Sequence, residues 1–138
     1  MTSTAALQEK ESGNIAFQNN RFEEALIHYS KAIELEDCNA VFYCNRSFTY
    51  LKLNDFESAL KDALKCVSLD QQYVKGHLRA ADAYFKLNKL EEAKQYFDLC
   101  LKCDPGNTYA MKGISNIENL LKNREMINFY KPFTADKP

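Results

Sequence analysis

A chain of 138 residues has room for one domain, with too few residues left over for a second core. Its 18 Lys and Arg balance 19 Asp and Glu, so the net charge of −1 gives no overall attraction to nucleic acid or to an anionic membrane. No segment approaches the roughly 18 consecutive apolar residues that a membrane-spanning helix needs, and residues 1–10 lack the features of a signal sequence. These features predict a soluble, intracellular protein that is cytoplasmic, with the nucleus as an alternative location.

Seven helices are predicted from apolar residues that recur three to four positions apart. In chain order, they cover about residues 4–18, 22–36, 40–52, 56–69, 74–87, 90–101 and 108–124. The segment Asp104-Pro105-Gly106-Asn107 is expected to end the sixth helix, with Asn107 placed to cap the seventh. The seventh helix is apolar on one face only, as is needed for a helix that covers the exposed end of a stack. With four glycines and three prolines in total, the chain is predicted to be mostly helix.

The sequence repeats itself every 34 residues. The residues that recur at this interval include Asn20, Asn54 and Asn88, and also Ala25, Ala59 and Ala93. A fixed period of this length, filled with helix-forming residues, is typical of stacked helical repeats. Because Asn tolerates a left-handed backbone, the three asparagines are expected in the turns between paired helices. The copies are predicted at about residues 6–39, 40–73 and 74–107, inside a domain of residues 1–125, with residues 126–138 as a C-terminal tail or linker.

Residue size follows the same period as residue type. Small residues recur at three positions of every copy, namely Gly13, Ser47 and Ala81, then Ala25, Ala59 and Ala93, then Ala32, Cys66 and Cys100. In this pattern, and in aromatics such as Tyr29 and Tyr84, the chain resembles the tetratricopeptide repeat (TPR) family. The resemblance implies an all-α fold, a right-handed α-solenoid of three helix pairs plus a C-terminal capping helix. The chain departs from the family pattern where Ala16, Ala63 and Leu90 replace aromatic residues.

Five polar residues do not fit the packing pattern of the first helices. They are Lys10, Asn14, Asn45, Lys75 and Arg79. At about 100° per residue, their repeat positions cluster on one side of each helix, so stacking would bring them into one concave groove. Lys and Arg side chains only donate hydrogen bonds, and Asn amides add neutral donors and acceptors. This chemistry favours recognition of carboxylates, such as the two carboxyl groups of a chain-terminal Asp.

The same five residues resemble the carboxylate clamp of chaperone-binding TPR domains. Lys10 and Asn14 match its Lys-x-x-x-Asn motif, Asn45 its Asn-Arg-Ser context, and Lys75 and Arg79 its Lys-Gly-x-x-Arg motif. The resemblance implies a co-chaperone or adaptor that binds the C-terminal Glu-Glu-Val-Asp tails of heat-shock protein 70 or 90 chaperones. The choice between the two chaperones stays open. The alternative for each residue taken alone is an ordinary solvated position on a helix.

Four further residues are candidates for the wall of this groove. Leu51, Lys52, Phe85 and Lys86 would contact residues that precede the terminal Asp of a bound tail. For Leu51 and Phe85, packing between repeats is an equally good interpretation.

Cysteine and histidine give no sign of a metal or redox site. The five cysteines are Cys38, Cys44, Cys66, Cys100 and Cys103, an odd number that argues against a disulfide framework and for a reducing compartment. Cys100 and Cys103 form a Cys-x-x-Cys pair, but they occupy repeat positions held elsewhere by small or apolar core residues. No second pair completes a zinc site, so no metal is expected. His28 and His77 are isolated and are expected to serve packing or the surface.

Adjacent carboxylates at residues 23–24 and 91–92 open predicted helices, where they complement the helix dipole better than they would serve acid-base catalysis. No phosphate loop, nucleophile motif or dinucleotide fingerprint occurs. We therefore predict a monomeric, non-catalytic protein that needs no cofactor and binds a chaperone peptide rather than nucleic acid or membrane. Two alternatives remain: a regulatory or targeting arm of a larger enzyme, such as a serine/threonine phosphatase or prolyl isomerase, and a general TPR scaffold.

Overall fold

The computed structural model describes the backbone of residues 3–135 and the side chains of residues 3–129. Within that range it contains seven α-helices and no strand. They are α1 (Thr4–Gln18), α2 (Phe22–Leu35), α3 (Ala40–Lys52), α4 (Phe56–Leu69), α5 (Val74–Lys86), α6 (Leu90–Cys103) and α7 (Thr108–Ala135). The predicted bounds of the first six helices are confirmed to within two residues.

The last helix is longer than predicted. α7 continues to Ala135, so the predicted end at residue 124 is wrong. The physical reason is that residues 125–131 contain neither Gly nor Pro, and nothing in that stretch stops a helix. The assignment of residues 126–138 to a tail or linker stays a prediction, and residues 136–138 lie outside the described range.

The turns inside the three helix pairs share one geometry. Asn20, Asn54 and Asn88 have φ angles of 60°, 61° and 60°, as expected for asparagine in the left-handed region. In the first turn, the backbone N–H of Arg21 bonds to the carbonyl of Ala16 at 2.9 Å, and the other two turns repeat this bond at 2.9 Å. This is the Schellman arrangement that ends a helix. The predicted role of the three asparagines is therefore confirmed.

Small residues let the paired helices approach. Ala25, Ala59 and Ala93 are fully buried, as are the other small residues of the second helices, Ala32, Cys66 and Cys100. A Cβ atom on Gly13 would lie 2.6 Å from the ring of Tyr29, so only glycine allows that approach without a shift of the ring. Each second helix thus packs closely on its own first helix.

The helices stack in chain order. Each pair packs together, α2 packs on α3, α4 on α5 and α6 on α7, and α3 also contacts α5 directly. The result is a helical solenoid of three helix pairs plus a final helix, with first helices as neighbours along one side. Asn107 caps α7 as predicted, because its Oδ1 accepts from the backbone N–H of Ala110 at 2.9 Å.

One buried ion pair fixes the central pair of helices. Arg46 of α3 donates from Nε and Nη2 to the two carboxylate oxygens of Asp62 of α4, at 2.7 and 2.8 Å. The Asp62 side chain is 5% exposed, so this forked contact compensates a charge that has left water. Beside it, Ser47 Oγ donates to the carbonyl of Ala59 at 2.7 Å.

The structure also shows where the cysteines, His77 and the paired carboxylates lie. All five cysteines are free, and Cys100 is fully buried as a core residue. His77 is 5% exposed, with Nε2 2.8 Å from the carbonyl of Gln71, so its predicted packing role is confirmed. The carboxylates at 23–24 and 91–92 lie in the first turns of α2 and α6. Within the described range, no helix is long and apolar enough to cross a membrane, and no three His, Cys, Asp or Glu side chains group to hold a metal.

Candidate peptide-binding groove

The predicted clamp residues lie on three neighbouring first helices. Lys10 and Asn14 are on α1, Asn45 is on α3, and Lys75 and Arg79 are on α5. A spacing of four residues places the members of each pair on one face, one helical turn apart. All five belong to the helices that form one side of the solenoid.

A small cavity joins α1 to α3. It has a volume of about 140 Å³, and both Asn14 and Asn45 line it. The other lining residues are Phe17, Gln18, Tyr29 and Phe48. Two amides that are 31 positions apart in sequence therefore face the same space. An oxygen atom of a ligand in this cavity could accept hydrogen bonds from both.

Tyr29 of α2 holds the Asn14 side chain in place. Its hydroxyl donates to Asn14 Oδ1 at 2.5 Å. Burial, followed by the nearby charge of Glu11, raises the pKa of Tyr29 to about 12, so the phenol keeps its proton at neutral pH. Because the amide oxygen is occupied by this bond, Asn14 turns its NH₂ donors to other partners. Two N–H donors suit a carboxylate, which can only accept.

Arg79 lies beside the cavity. Its guanidinium carbon is 3.7 Å from the ring centre of Phe48, which is itself a wall of the cavity. Nη1 is 3.4 Å from Oδ2 of Asp82, and the Arg79 side chain is 17% exposed. Among the described residues, the buried Nε has no hydrogen-bond partner. The guanidinium thus stacks on an aromatic face, and its Nε donor is left for a ligand.

The two lysines are more exposed parts of the same surface. The positive charges of Arg79 and Lys75 both act on Cys44, whose pKa is lowered first by a hydrogen bond with Cys66 and further by these cations. Lys75 and Arg79 lie one helical turn apart on α5. Lys10 Nζ is 3.7 Å from Oε1 of the exposed Glu11, and an ion pair with such a solvated partner contributes little. Lys10 lies one turn before Asn14, and no hydrogen bond between Lys10 and the other four residues is present in the described part of the chain.

The four predicted wall residues divide into two kinds. Lys52 and Lys86 are exposed, and Lys52 Nζ lies 5.1 Å from the ring centre of Phe48. Phe85 packs against the core formed by α5, α6 and α7, and Leu51 is half-buried. Phe85 thus packs in the core of the third helix pair and the final helix, while a role of any of the four in ligand contact stays a prediction.

The sequence prediction missed three residues of this surface. Phe48 and Asp82 lie 34 and 68 positions after Asn14, so they occupy the same repeat position, and the period could have found them. Tyr109 of α7 donates from its hydroxyl to Asp82 Oδ1 at 2.8 Å and so reaches the edge of the groove. Tyr109 lies outside the three copies, and no periodic signal points to it.

Sequence and structure comparisons define the family. A TPR repeat profile matches residues 13–54, and tetratricopeptide repeat profiles match residues 40–73 and 74–107. The first TPR of Spaghetti (RPAP3), solved with the HSP90 peptide SRMEEVD, is 34% identical and covers 87% of this chain and 95% of its own, with a TM-score of 0.86. The chain belongs to the tetratricopeptide repeat family.

Two further proteins are similar to this chain. The second TPR domain of human RPAP3, solved with the HSP70 peptide SGPTIEEVD, is 37% identical over 83% of this chain and 95% of its own, with a TM-score of 0.80. Stress-induced-phosphoprotein 1 of Caenorhabditis elegans is 44% identical over 52 residues, which are 38% of this chain and 16% of that protein. The matched segments span between 8% and 16% of the length of such curated relatives.

Proposed function

We propose that this chain is a peptide-binding module that binds the acidic C-terminal Glu-Glu-Val-Asp tail of heat-shock protein 70 or 90 chaperones. The observation that carries the proposal is the convergence of donors from three helices. Asn14 and Asn45 line one cavity, and Arg79 stacks on Phe48 in the wall of that cavity. With Lys10 and Lys75, these residues form the carboxylate clamp.

The chemistry of the ligand follows from the donors. A chain-terminal Asp carries two carboxylates, which accept hydrogen bonds from lysine, arginine and amide groups arranged around them. Each charge-assisted bond contributes about 1.5–3 kcal/mol. The two RPAP3 domains were solved with peptides that both end in Glu-Glu-Val-Asp, which supports the same ligand class here.

The chain acts in this proposal by binding alone, as a co-chaperone or adaptor. We place it in the cytoplasm, because the clamp motif resembles domains that bind cytosolic chaperones. The five clamp residues suit either chaperone tail, because both tails present the same terminal carboxylates.

The experiment is a calorimetric titration of the chain with a peptide that ends in Met-Glu-Glu-Val-Asp. The matched control is the same peptide with an amidated C-terminus, which removes one carboxylate and changes nothing else. We expect micromolar binding of the free acid and loss of binding on amidation. Equal affinity for both peptides, or no affinity for either, would contradict the clamp and indicate a TPR scaffold with its ligand on another face.

A further inference from the structure

A carboxylate of the protein itself lies within the proposed site. Asp82 is on α5, one turn after Arg79, and its side chain is 18% exposed. Oδ2 is 3.4 Å from Nη1 of Arg79, and Oδ1 accepts a hydrogen bond from the hydroxyl of Tyr109 at 2.8 Å. The surface that is to receive an anion therefore already contains one.

The contact between Asp82 and Arg79 is loose. Charge-assisted bonds of this type usually measure about 2.7–2.9 Å, so 3.4 Å is a weak hydrogen bond although the charges remain close. The stronger bond of Asp82 is to Tyr109 of α7, whose hydroxyl lies 2.8 Å from Oδ1. Tyr109 thus engages one carboxylate oxygen while the other stays near the guanidinium.

The surroundings act on the pKa of this carboxyl group in opposite directions. Burial raises the pKa of Asp82, against the opposing effects of the Tyr109 hydrogen bond and of the charges of Arg79 and Lys86. The groups that act on Asp82 are Arg79 and Lys86 on α5 and Tyr109 on α7. A carboxylate bound at Arg79 would therefore meet the carboxyl group of Asp82, whose Oδ2 lies 3.4 Å from Nη1.

We propose that Asp82 is a specificity-determining residue that competes with the ligand's carboxylates for Arg79, and that Tyr109 limits this competition by holding Asp82 away. The proposal rests on the proposed function and extends it. Repulsion from Asp82 grows with the number of carboxylates at the end of the ligand. The site therefore discriminates less strongly in favour of a terminal Asp than the five clamp residues alone would.

The test is titration of wild-type chain and Asp82→Asn with peptides ending in Met-Glu-Glu-Val-Asp and in Met-Glu-Glu-Val-Asn. Asparagine keeps an oxygen that accepts from Tyr109 and removes the charge, while an NH₂ group replaces the oxygen that faces Arg79. Asp98→Asn, an exposed carboxylate on α6, is the matched control. We expect Asp82→Asn to bind the terminal-Asp peptide about two- to fivefold more tightly, as is usual for a partly exposed charge pair, with a smaller gain for the terminal-Asn peptide.

Tyr109→Phe provides a second, independent arm. It frees Asp82 Oδ1 to turn toward Arg79 and leaves the aromatic ring beside Phe97. We expect weaker binding of the terminal-Asp peptide than by wild type, and no effect of Tyr109→Phe when Asp82→Asn is already present. Thermal melts of each variant verify folding before the affinities are compared.

A pH series tests whether the effect of Asp82 on peptide binding depends on its charge. As the pH falls and Asp82 takes up a proton, the ratio of wild-type to Asp82→Asn dissociation constants is expected to approach one, since protonation of the peptide affects both proteins equally. The inference is overturned if Asp82→Asn binds no more tightly than wild type, if both peptides gain equally, or if Asp98→Asn gains as much. No binding of either peptide by wild type would overturn the proposed function itself.

Discussion

The guanidinium carbon of Arg79 lies 3.7 Å from the ring centre of Phe48, so a cation of the third helix pair rests on an aromatic ring of the second. A stack of this kind contributes about 0.5–2 kcal/mol, depending on how far it is removed from water. It also fixes the plane of the guanidinium, which determines the direction of its N–H donors. The orientation of Arg79 thus depends on how one repeat stacks on the next.

Phe48→Leu tests this dependence. Leucine fills much of the same space but has no π face, so Arg79 would lose its orientation and the tail peptide would bind more weakly, by about 0.5–2 kcal/mol. Calorimetric titration measures the loss. Arg79→Lys in the Phe48→Leu background should add little to it if the stack is what positions the cation, whereas full additivity would contradict that role.

Removal of a clamp cation should affect binding and not folding. We expect Arg79→Ala or Lys75→Ala to lose about 1.5–3 kcal/mol of tail binding, because each removes a charged donor from the groove. Lys102→Ala, an exposed lysine on α6, serves as the control and should bind as wild type does. If the melting temperature of either clamp variant collapsed, that residue would be structural and its assignment to the clamp would be wrong.

The central helix pair leaves no space at Ala59, which is fully buried and whose carbonyl accepts from Ser47 Oγ at 2.7 Å. Ala59→Leu should therefore destabilise the protein by about 1–3 kcal/mol through overpacking. Urea unfolding followed by circular dichroism measures the change. Lys61→Leu introduces the same side chain at an exposed position of the same helix, and we expect a much smaller effect there. Equal stability of Ala59→Leu and wild type would show that the helices are not in close contact at this point.

The buried charge of Asp62 makes Arg46 a structural residue despite its place beside Asn45. Arg46→Ala leaves that carboxylate without its forked partner, and we expect a loss of about 3–5 kcal/mol in the free energy of unfolding. Arg46→Met combined with Asp62→Leu removes both charges and should lose less than Arg46→Ala alone. Denaturant titrations compare the two. A larger loss in the double variant would mean that apolar packing cannot replace the pair.

Asp82 should make stability depend on pH. Because burial raises its pKa in the folded protein above the unperturbed 3.8, the folded state binds this proton more tightly than the unfolded chain does. The resulting stability is fully present at pH values below the pKa of the unfolded chain, and it is lost as the pH rises through the pKa of the folded protein. We therefore expect Asp82→Asn to gain stability relative to wild type between about pH 4 and about pH 7, measured by urea unfolding at both values. The same difference in unfolding free energy between Asp82→Asn and wild type at both pH values would contradict a raised pKa of Asp82.

Much of the fold follows from local rules that the sequence displays directly. Apolar spacing fixes where six of the helices lie, and asparagine at 20, 54 and 88 fixes the left-handed turns, because each of these features depends on a few adjacent residues. The 34-residue period then places Lys10, Asn14, Asn45, Lys75 and Arg79 on equivalent helix faces. The end of α7 was not predictable in this way, because no stop signal follows residue 124 until Pro132, and the helix continues beyond even that residue.

Only the tertiary structure decides which side chains of different repeats make contact. The sequence period brings Asn14, Phe48 and Asp82 to one repeat position, yet their contacts differ. Asn14 lines the cavity and accepts from Tyr29, Phe48 stacks on Arg79, and Asp82 accepts from Arg79 at 3.4 Å. The bond from Tyr109 to Asp82 joins residues 27 positions apart on different helices. Such contacts depend on how adjacent repeats rotate and on which rotamers fill the space between them, and neither is encoded in the period of the sequence.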